Sequence, residues 1–116
     1  MKIQKIQIGG RMSIEPEKVV LLKANQNYTE LYLYNGRMLM VATTLKILEQ
    51  RFLLTNTFYR LDRAHMVNLS YINNYEAQTG KVIMQNQQEV SISRRRRHGF
   101  YSFINEHFNP FNILLK

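Results

Sequence analysis

The chain contains no cysteine among its 116 residues. This absence excludes disulfide scaffolds, cysteine-based zinc fingers, iron–sulfur clusters and thiol nucleophiles. The longest uninterrupted apolar run, Met38 to Ala42, is far shorter than the ~20 residues that a helix needs to cross a bilayer. The first residues, MKIQKIQIGG, also lack the continuous apolar stretch of a signal peptide. We therefore expect a cytoplasmic protein that does not associate with a membrane.

Acidic and titratable groups suited to catalysis are scarce. There is one aspartate, Asp62, and no pair of carboxylates stands at a revealing spacing. Gly-rich phosphate loops and the H-E-x-x-H and G-x-S-x-G motifs are absent. His98 and His107 fall on a predicted helix, where an exposed or capping histidine is more common than a ligand, and His65 is either functional or a half-buried spacer. The sequence predicts neither an enzyme, nor a metal site, nor a cofactor.

Proline and glycine are few, at two and five residues, whereas 45% of the residues are hydrophobic. This is too much core-forming material for a disordered tail. Neither an internal repeat nor a Gly/Ser linker divides the chain. We expect residues 1–116 to form a single domain.

Positive charge is in excess, because 16 Lys and Arg stand against 8 Asp and Glu, giving +8 and a pI near 10.0. Such a balance favours a polyanionic partner. Four basic residues are consecutive, Arg94 to Arg97, and they form either a solvated face at a helix start or a clamp on phosphates and base edges. Each cation at a helix N-terminus is opposed by the helix macrodipole, which costs roughly several tenths of a kcal/mol of stability. The clamp is therefore favoured.

Period-2 alternation of apolar residues predicts short strands along most of the chain. The predicted strands contain Ile6 and Ile8, Met12 and Ile14, Val19 to Ala24, Thr29 to Tyr34, Arg37 to Val41, Phe58 to Leu61, Ile72 to Tyr75, Lys81 to Met84 and Val90 to Ile92. Asn35-Gly36 joins two of them and predicts a type I′ hairpin turn, in which both central residues have positive φ. Asn86-Gln87 lies near the turn of the last hairpin.

Two segments have helical spacing. Leu45, Leu48 and Phe52 lie three and four residues apart within Thr43 to Phe52, and the threonines could cap the first amides. The second segment carries Phe100, Phe103, Ile104 and Phe108 and ends before Asn109-Pro110. The predicted fold is mainly β, with short antiparallel sheets, one short central helix and a C-terminal helix. Residues 111–116 have no assignable partner.

Asn68 stands within an apolar run, Met66-Val67-Asn68-Leu69. An asparagine in this setting usually caps or turns the backbone. Its other use is bidentate contact with N6 and N7 of adenine. Both roles remain open from the residues alone.

Five blocks of sequence resemble the LytTR DNA-binding domain in order and spacing. The resemblance spans about residues 11–108 and leaves 109–116 as a tail. Asp62 and Ala64 depart from it, since the family often has histidine and serine there. The blocks are Ala24-Asn25-Gln26-Asn27-Tyr28-Thr29, Thr44-Leu45-Lys46-Ile47-Leu48-Glu49, Phe58 to Asn68, Ile72, and Val90-Ser91-Ile92-Ser93-Arg94-Arg95.

The resemblance implies a bacterial transcriptional regulator that reads successive major grooves of double-stranded DNA with loops. The implied base readers are Asn27, Tyr28 or Thr29, then Asn68, then Arg94 or Arg95. Arg63 and His65 are the implied phosphate contacts, and Arg96 and Arg97 are expected to face phosphate or solvent.

The chain is too short for a phosphorylatable receiver domain, and one aspartate cannot supply a receiver's Mg²⁺ cluster. We expect a monomer in solution that pairs on repeated half-sites ~10 bp apart. Residues 111–115 are the segment that could form a dimer interface instead. The rival interpretation is a basic β-domain that binds RNA or an acidic protein without specificity.

Overall fold

The computed structural model describes residues 5–107 and 113–115. The chain divides into two compact units, residues 1–68 and residues 69–116. The prediction of a mainly β fold with two α-helices is confirmed. The first unit contains β1 (Ile6–Gly9), β2 (Met12–Ile14), a 3-10 turn (Pro16–Lys18), β3 (Val19–Asn25), β4 (Tyr28–Leu33), β5 (Met38–Val41), α1 (Leu45–Phe52), a 3-10 turn (Leu53–Thr55), β6 (Phe58–Arg60) and β7 (His65–Asn68).

The second unit continues the chain from residue 69. It contains a 3-10 turn (Leu69–Tyr71), β8 (Ile72–Glu76), β9 (Lys81–Met84), β10 (Glu89–Ser91), α2 (Arg94–Ser102), a π-helical turn (Phe103–His107) and β11 (Leu114–Leu115). Among the described residues, no helix is long and apolar enough to cross a membrane.

The first unit is built on a five-stranded antiparallel sheet in the order β5-β4-β3-β7-β6, beside the β1-β2 hairpin. Alternation of side chains along each strand separates the two faces of the sheet. One face belongs to the core, where Phe52 of α1 meets Phe58 of β6 edge to face at 4.8 Å. The buried core residues of this unit are Ile6, Ile8, Val19, Leu22, Leu31, Val41, Leu45, Leu48, Phe52, Phe58 and Met66.

The turn at Asn35-Gly36 joins β4 to β5 as predicted, but it is not of type I′. Gly36 has φ of +88°, whereas Asn35 is not among the residues with positive φ. Gly36 N donates to Leu33 O at 3.1 Å, and Leu33 N donates to Arg37 O at 2.9 Å. This is the three-residue loop in which a type I turn is followed by a left-handed glycine.

Leu45, Leu48 and Phe52 are buried on α1 as their spacing predicts. The expected threonine cap is wrong for Thr44, which occupies the N-cap position without a side-chain hydrogen bond to the helix. The other threonine, Thr43, contacts the sheet through its backbone, because its carbonyl accepts a hydrogen bond from the hydroxyl of Thr29 in β4.

The second unit has a four-stranded sheet in the order β10-β9-β8-β11. β11 runs parallel to β8, with Leu114 opposite Asn74, so part of the tail has a partner that the sequence did not reveal. Phe100 and Ile104 of the predicted C-terminal helix are buried, and Tyr75 contacts Phe100 edge to face at 5.0 Å. Phe103 is instead 38% exposed, and Phe108 lies outside the described residues.

Candidate nucleic-acid interface

Two loops of the first unit lie side by side at one end of its sheet. The β3-β4 turn, Gln26-Asn27, follows the C-terminal end of β3. The β6-β7 loop reaches the same strand end, because Lys23 pairs with His65 and Ala24 N donates to Ala64 O at 2.8 Å. The sheet therefore brings together two sets of predicted DNA contacts that are 34 or more residues apart in the chain. We call these two loops, with the strand ends that carry them, the loop end of the first unit.

The β3-β4 turn presents Asn27 and Tyr28 to solvent, and Tyr28 is 49% exposed. Gln26 has a positive φ of +58°, whereas the φ of Asn27 is not positive. This combination of signs is typical of a type II′ turn. Thr29, the next residue, is fully buried and donates its hydroxyl to Thr43 O at 2.7 Å. Thr29 thus fixes the strand behind the turn, while its two neighbours are accessible to a ligand.

Asp62 organises the β6-β7 loop from within. Its Oδ1 accepts hydrogen bonds from Ala64 N and His65 N, both at 2.8 Å, and lies 3.0 Å from Nδ1 of His65. When Nδ1 of the imidazole carries the proton, it donates to this carboxylate and the ring orientation is fixed. Arg63 is exposed at the tip of the same loop.

Arg60 attaches the loop to the rest of the unit. Its Nε donates to Asp62 O at 2.6 Å, and one Nη donates to Arg63 O at 2.8 Å. The other Nη binds Glu49 of α1 at 2.5 Å. The planar guanidinium thus holds two loop carbonyls and a helix carboxylate at once through three separate nitrogens, whereas a lysine has a single nitrogen. Arg60 falls inside one of the blocks that resemble the family, although the sequence alone indicates no role for it.

Asn68 lies at the opposite end of β7 from His65, and only 2% of it is exposed. Its Nδ2 donates to Val19 O, at the start of β3, at 2.9 Å. Of the two roles that the sequence left open, this contact fits that of holding the backbone. In this conformation the amide is enclosed by the protein and is not presented to a base edge.

Polar residues that the sequence analysis missed lie on the non-core face of the loop end. Lys23 of β3 is in register with His65 on one side and with Glu30 of β4 on the other, so the three form one row. Glu30 accepts the hydroxyl proton of Tyr32 at 2.7 Å and an amide proton of Asn25 at 2.9 Å. The alternation of Lys23 and Asn25 with the apolar residues of β3 was the signal that could have found this face.

The hydrogen bonds to Glu30 keep its side chain ionised. The pKa of Glu30 is lowered, first by the Tyr32 hydroxyl, then by the Asn25 amide and by the charge of Lys23. The pKa of Tyr32 is raised to about 12, chiefly because its proton is held by Glu30. Glu30 is therefore a fixed carboxylate in a protein of net charge +8.

The second unit carries the arginine cluster, which we define as Arg94, Arg95 and Arg96 in the first turn of α2. All three are exposed, and no acidic residue stands in that turn to offset their charge. Within the described part of the chain, the side chains of Arg94 and Arg95 have no hydrogen-bond or ion-pair partner. Cations at this end of a helix are opposed by its macrodipole, so an anionic ligand would relieve an unfavourable arrangement.

Arg97, the fourth arginine, is only partly exposed, and its guanidinium binds backbone carbonyls of its own unit. Its Nε donates to Ile92 O at 3.1 Å and one Nη donates to Gln78 O at 3.0 Å. Gly80 lies directly against it with φ of +73°, where a Cβ would meet the Arg97 side chain and lie 2.6 Å from Ile92 O. Arg97 therefore joins the start of α2 to the β8-β9 turn.

Across residues 5–107 and 113–115, no group of three or more histidine, aspartate or glutamate side chains is arranged to hold a metal ion.

A mainly β domain with exposed arginines on a loop tip and on a helix start has the features of a nucleic-acid-binding domain. The model of the LytTr DNA-binding domain matches residues 9–105. The chain belongs to the LytTr DNA-binding domain family, and its module is thus a DNA-binding one.

The fold has a counterpart among solved structures. The chain is similar to a domain described as the LytTr DNA-binding domain of a methyl-accepting/DNA response regulator from Bacillus cereus, with a TM-score of 0.66 and 20% sequence identity. The alignment covers 90% of this chain and 98% of that one. No curated protein matches the chain significantly. The expected LytTR fold is therefore confirmed over most of the chain.

Proposed function

We propose that the chain binds double-stranded DNA in a sequence-specific manner and regulates transcription in the bacterial cytoplasm. Its loops and the start of α2 would enter successive major grooves, with no recognition helix lying along a groove. The family supports DNA binding, and the finer proposal depends on where the accessible side chains lie.

The observation that carries the proposal is the set of exposed arginines on ordered supports. Arg63 stands on a loop whose backbone is held by Asp62 and Arg60. Arg94 and Arg95 stand on α2, whose start is fixed by Arg97. Fixed supports spare the cost of ordering the backbone on binding, and the planar forks of the guanidinium groups fit guanine O6 and N7 or a phosphate. A featureless basic patch would not need such supports.

We assign direct contacts to the accessible residues and supporting roles to the enclosed ones. Asn27, Tyr28 and either Arg94 or Arg95 would face base edges. Arg63, His65 and Arg96 would face phosphates, and Lys23 is a further cation on the same face of the sheet as His65. Thr29 and Asn68 would act by holding the strands that carry these side chains.

Selection of bound duplexes from a random pool, followed by sequencing, tests specificity directly. We expect a defined motif and an affinity for it at least ~10³-fold above that for random duplex. Affinity should also fall steeply with salt, with a slope near −0.9 for each phosphate contact on B-DNA. Sequence-blind, salt-sensitive binding would instead support the alternative, a basic module for RNA or an acidic protein. A flat salt dependence would contradict both interpretations.

We further propose that the chain alone is a monomer and that two copies occupy repeated half-sites ~10 bp apart. Burial of Ile113 and pairing of β11 with β8 support this, because part of the apolar tail is used within the chain. Light scattering with and without a two-site duplex tests it. A dimer without DNA that dissociates when residues 110–116 are deleted would show that the tail is an interface.

A further inference from the structure

The loop end of the first unit contains a carboxylate where a DNA-binding surface is expected to be positive. Glu30 shares the non-core face of the sheet with Tyr28, two residues before it, and with Lys23 and His65 in its own row. Neighbouring strands are about 4.8 Å apart, so Glu30 lies about 10 Å from His65 across β3. This separation is smaller than the width of a major groove, about 12 Å. A groove that receives His65 and Tyr28 would therefore also receive Glu30.

The carboxylate is held in place by donors of the protein itself. Each oxygen of Glu30 accepts one hydrogen bond, Oε1 from Tyr32 and Oε2 from Asn25. Each oxygen still has acceptor capacity, because an ionised carboxylate offers about four lone-pair sites. Glu30 is only partly buried, so this remaining capacity is open to a ligand.

Only a few DNA groups can meet such an acceptor favourably. Phosphates repel it, and guanine N7 and O6 and thymine O4 are acceptors themselves. In the major groove the donors are the amino groups N4 of cytosine and N6 of adenine, and carboxylates typically pair with cytosine N4. Within the described residues, the ammonium of Lys23 makes neither a hydrogen bond nor an ion pair, although it stands in register beside Glu30. A free donor thus stands next to a fixed acceptor.

We propose that Lys23 and Glu30 read one G·C base pair, with Glu30 accepting from cytosine N4 and Lys23 donating to guanine O6 or N7. This inference rests on the proposed function, since it requires that the loop end enter a major groove. Tyr32 and Asn25 are positioning residues, because they act on DNA only through Glu30. An A·T pair presents a different pattern of donors and acceptors in the major groove, so it would not match Lys23 and Glu30 together.

The test compares the selected motif of the native chain with that of Glu30→Gln. We expect the native motif to contain a G·C pair whose replacement by A·T weakens binding by about fivefold to a hundredfold. In Glu30→Gln the penalty at that position should fall below about threefold, because an amide can both donate and accept. Affinity for random duplex should rise, since one repulsive charge is removed. Circular dichroism and thermal melting establish that the variant folds.

Two further variants separate a base contact from general electrostatics. Glu15→Gln makes the same change of net charge at a residue that pairs with Lys18, near the opposite end of β3, and it should leave the motif unchanged. Tyr32→Phe keeps every charge and removes the hydroxyl that fixes Glu30. It should weaken the preference at the same G·C pair while affinity for random duplex stays the same.

Two results overturn the inference in distinguishable ways. A native chain without any sequence preference would remove the proposed function, and the inference with it. A native chain with a clear motif that Glu30→Gln retains at every position would overturn the inference alone and leave the proposed function standing.

Discussion

Replacement of Asn68 by alanine distinguishes a structural asparagine from a base-reading one. The side chain is 2% exposed and its amide donates to Val19 O at 2.9 Å. Alanine would leave that buried carbonyl without this donor, which costs about 1–3 kcal/mol. At about 2.1 cal/mol/K of unfolding entropy per residue, the 116-residue chain has about 0.24 kcal/mol/K, so the melting temperature should fall by about 4–12 °C.

Thermal and urea denaturation measure the free energy of unfolding of the variant. Asn68→Asp should be at least as destabilising, because its carboxylate cannot donate to Val19 O and would be charged in a buried site. Asn73→Ala is the matched control, since Asn73 is exposed on β8 and its replacement should change stability by no more than about 0.5 kcal/mol.

DNA binding, measured well below the melting temperature, completes the experiment. Asn68→Ala should retain the base preferences of the native chain, because the reading side chains are elsewhere. Native stability together with a loss of about 1–3 kcal/mol of discrimination at one base pair would refute this reasoning. That result would mean that the amide leaves Val19 and turns outward when DNA binds.

Further substitutions test the supports and the contacts of the proposed interface. Arg60→Lys keeps the charge but loses the three-way attachment of the β6-β7 loop, so specific affinity should fall about tenfold while the salt slope stays unchanged in a titration. Arg97→Leu should lower the unfolding free energy by about 2 kcal/mol in urea. Arg94→Lys and Arg95→Lys should both leave stability unchanged, and one of the two should lose about 1–3 kcal/mol of discrimination at one base pair. Tyr32 should ionise near pH 12 in a spectroscopic titration, and Glu30→Gln should return its pKa toward 10. Because the folded-state pKa of Tyr32 is the higher one and Glu30 is ionised at neutral pH, this hydrogen bond contributes fully from neutral pH to about pH 10 and is lost as pH rises through about 12.

The strands and helices could be predicted because each is specified by its own residues. The apolar run of β3, the alternation along β4 and the three-four spacing on α1 reflect local geometry, and all three segments form the predicted elements in the structure. The Asn35-Gly36 turn shows the limit of such signals. Asn-Gly fits a two-residue type I′ turn, but it also fits the three-residue loop with a left-handed glycine, and the pairing of Leu33 with Arg37 decides between them.

The site could be predicted as a set of segments but not as a set of exposed side chains. Thr29 and Arg97 lie beside accessible residues in the sequence and Asn68 lies within an apolar run, yet each binds a carbonyl that the tertiary fold brings near. Their partners are Thr43 O for Thr29, Val19 O for Asn68, and Gln78 O and Ile92 O for Arg97. β11 was missed for a related reason, because a two-residue parallel strand has no periodicity of its own.

The two carboxylates of the loop end show why residue type alone does not define a reading surface. Asp62 receives two backbone amides and lies against the imidazole of His65, so its negative charge is used inside the loop. Glu30 receives only two side-chain donors and keeps acceptor capacity toward solvent. In a chain of net charge +8, the carboxylate of Asp62 shapes the loop that presents Arg63. The carboxylate of Glu30 instead repels phosphates and disfavours every base edge that lacks an amino group. Sequence specificity at this surface would then depend on which carboxylate is accessible to DNA as much as on where the arginines lie.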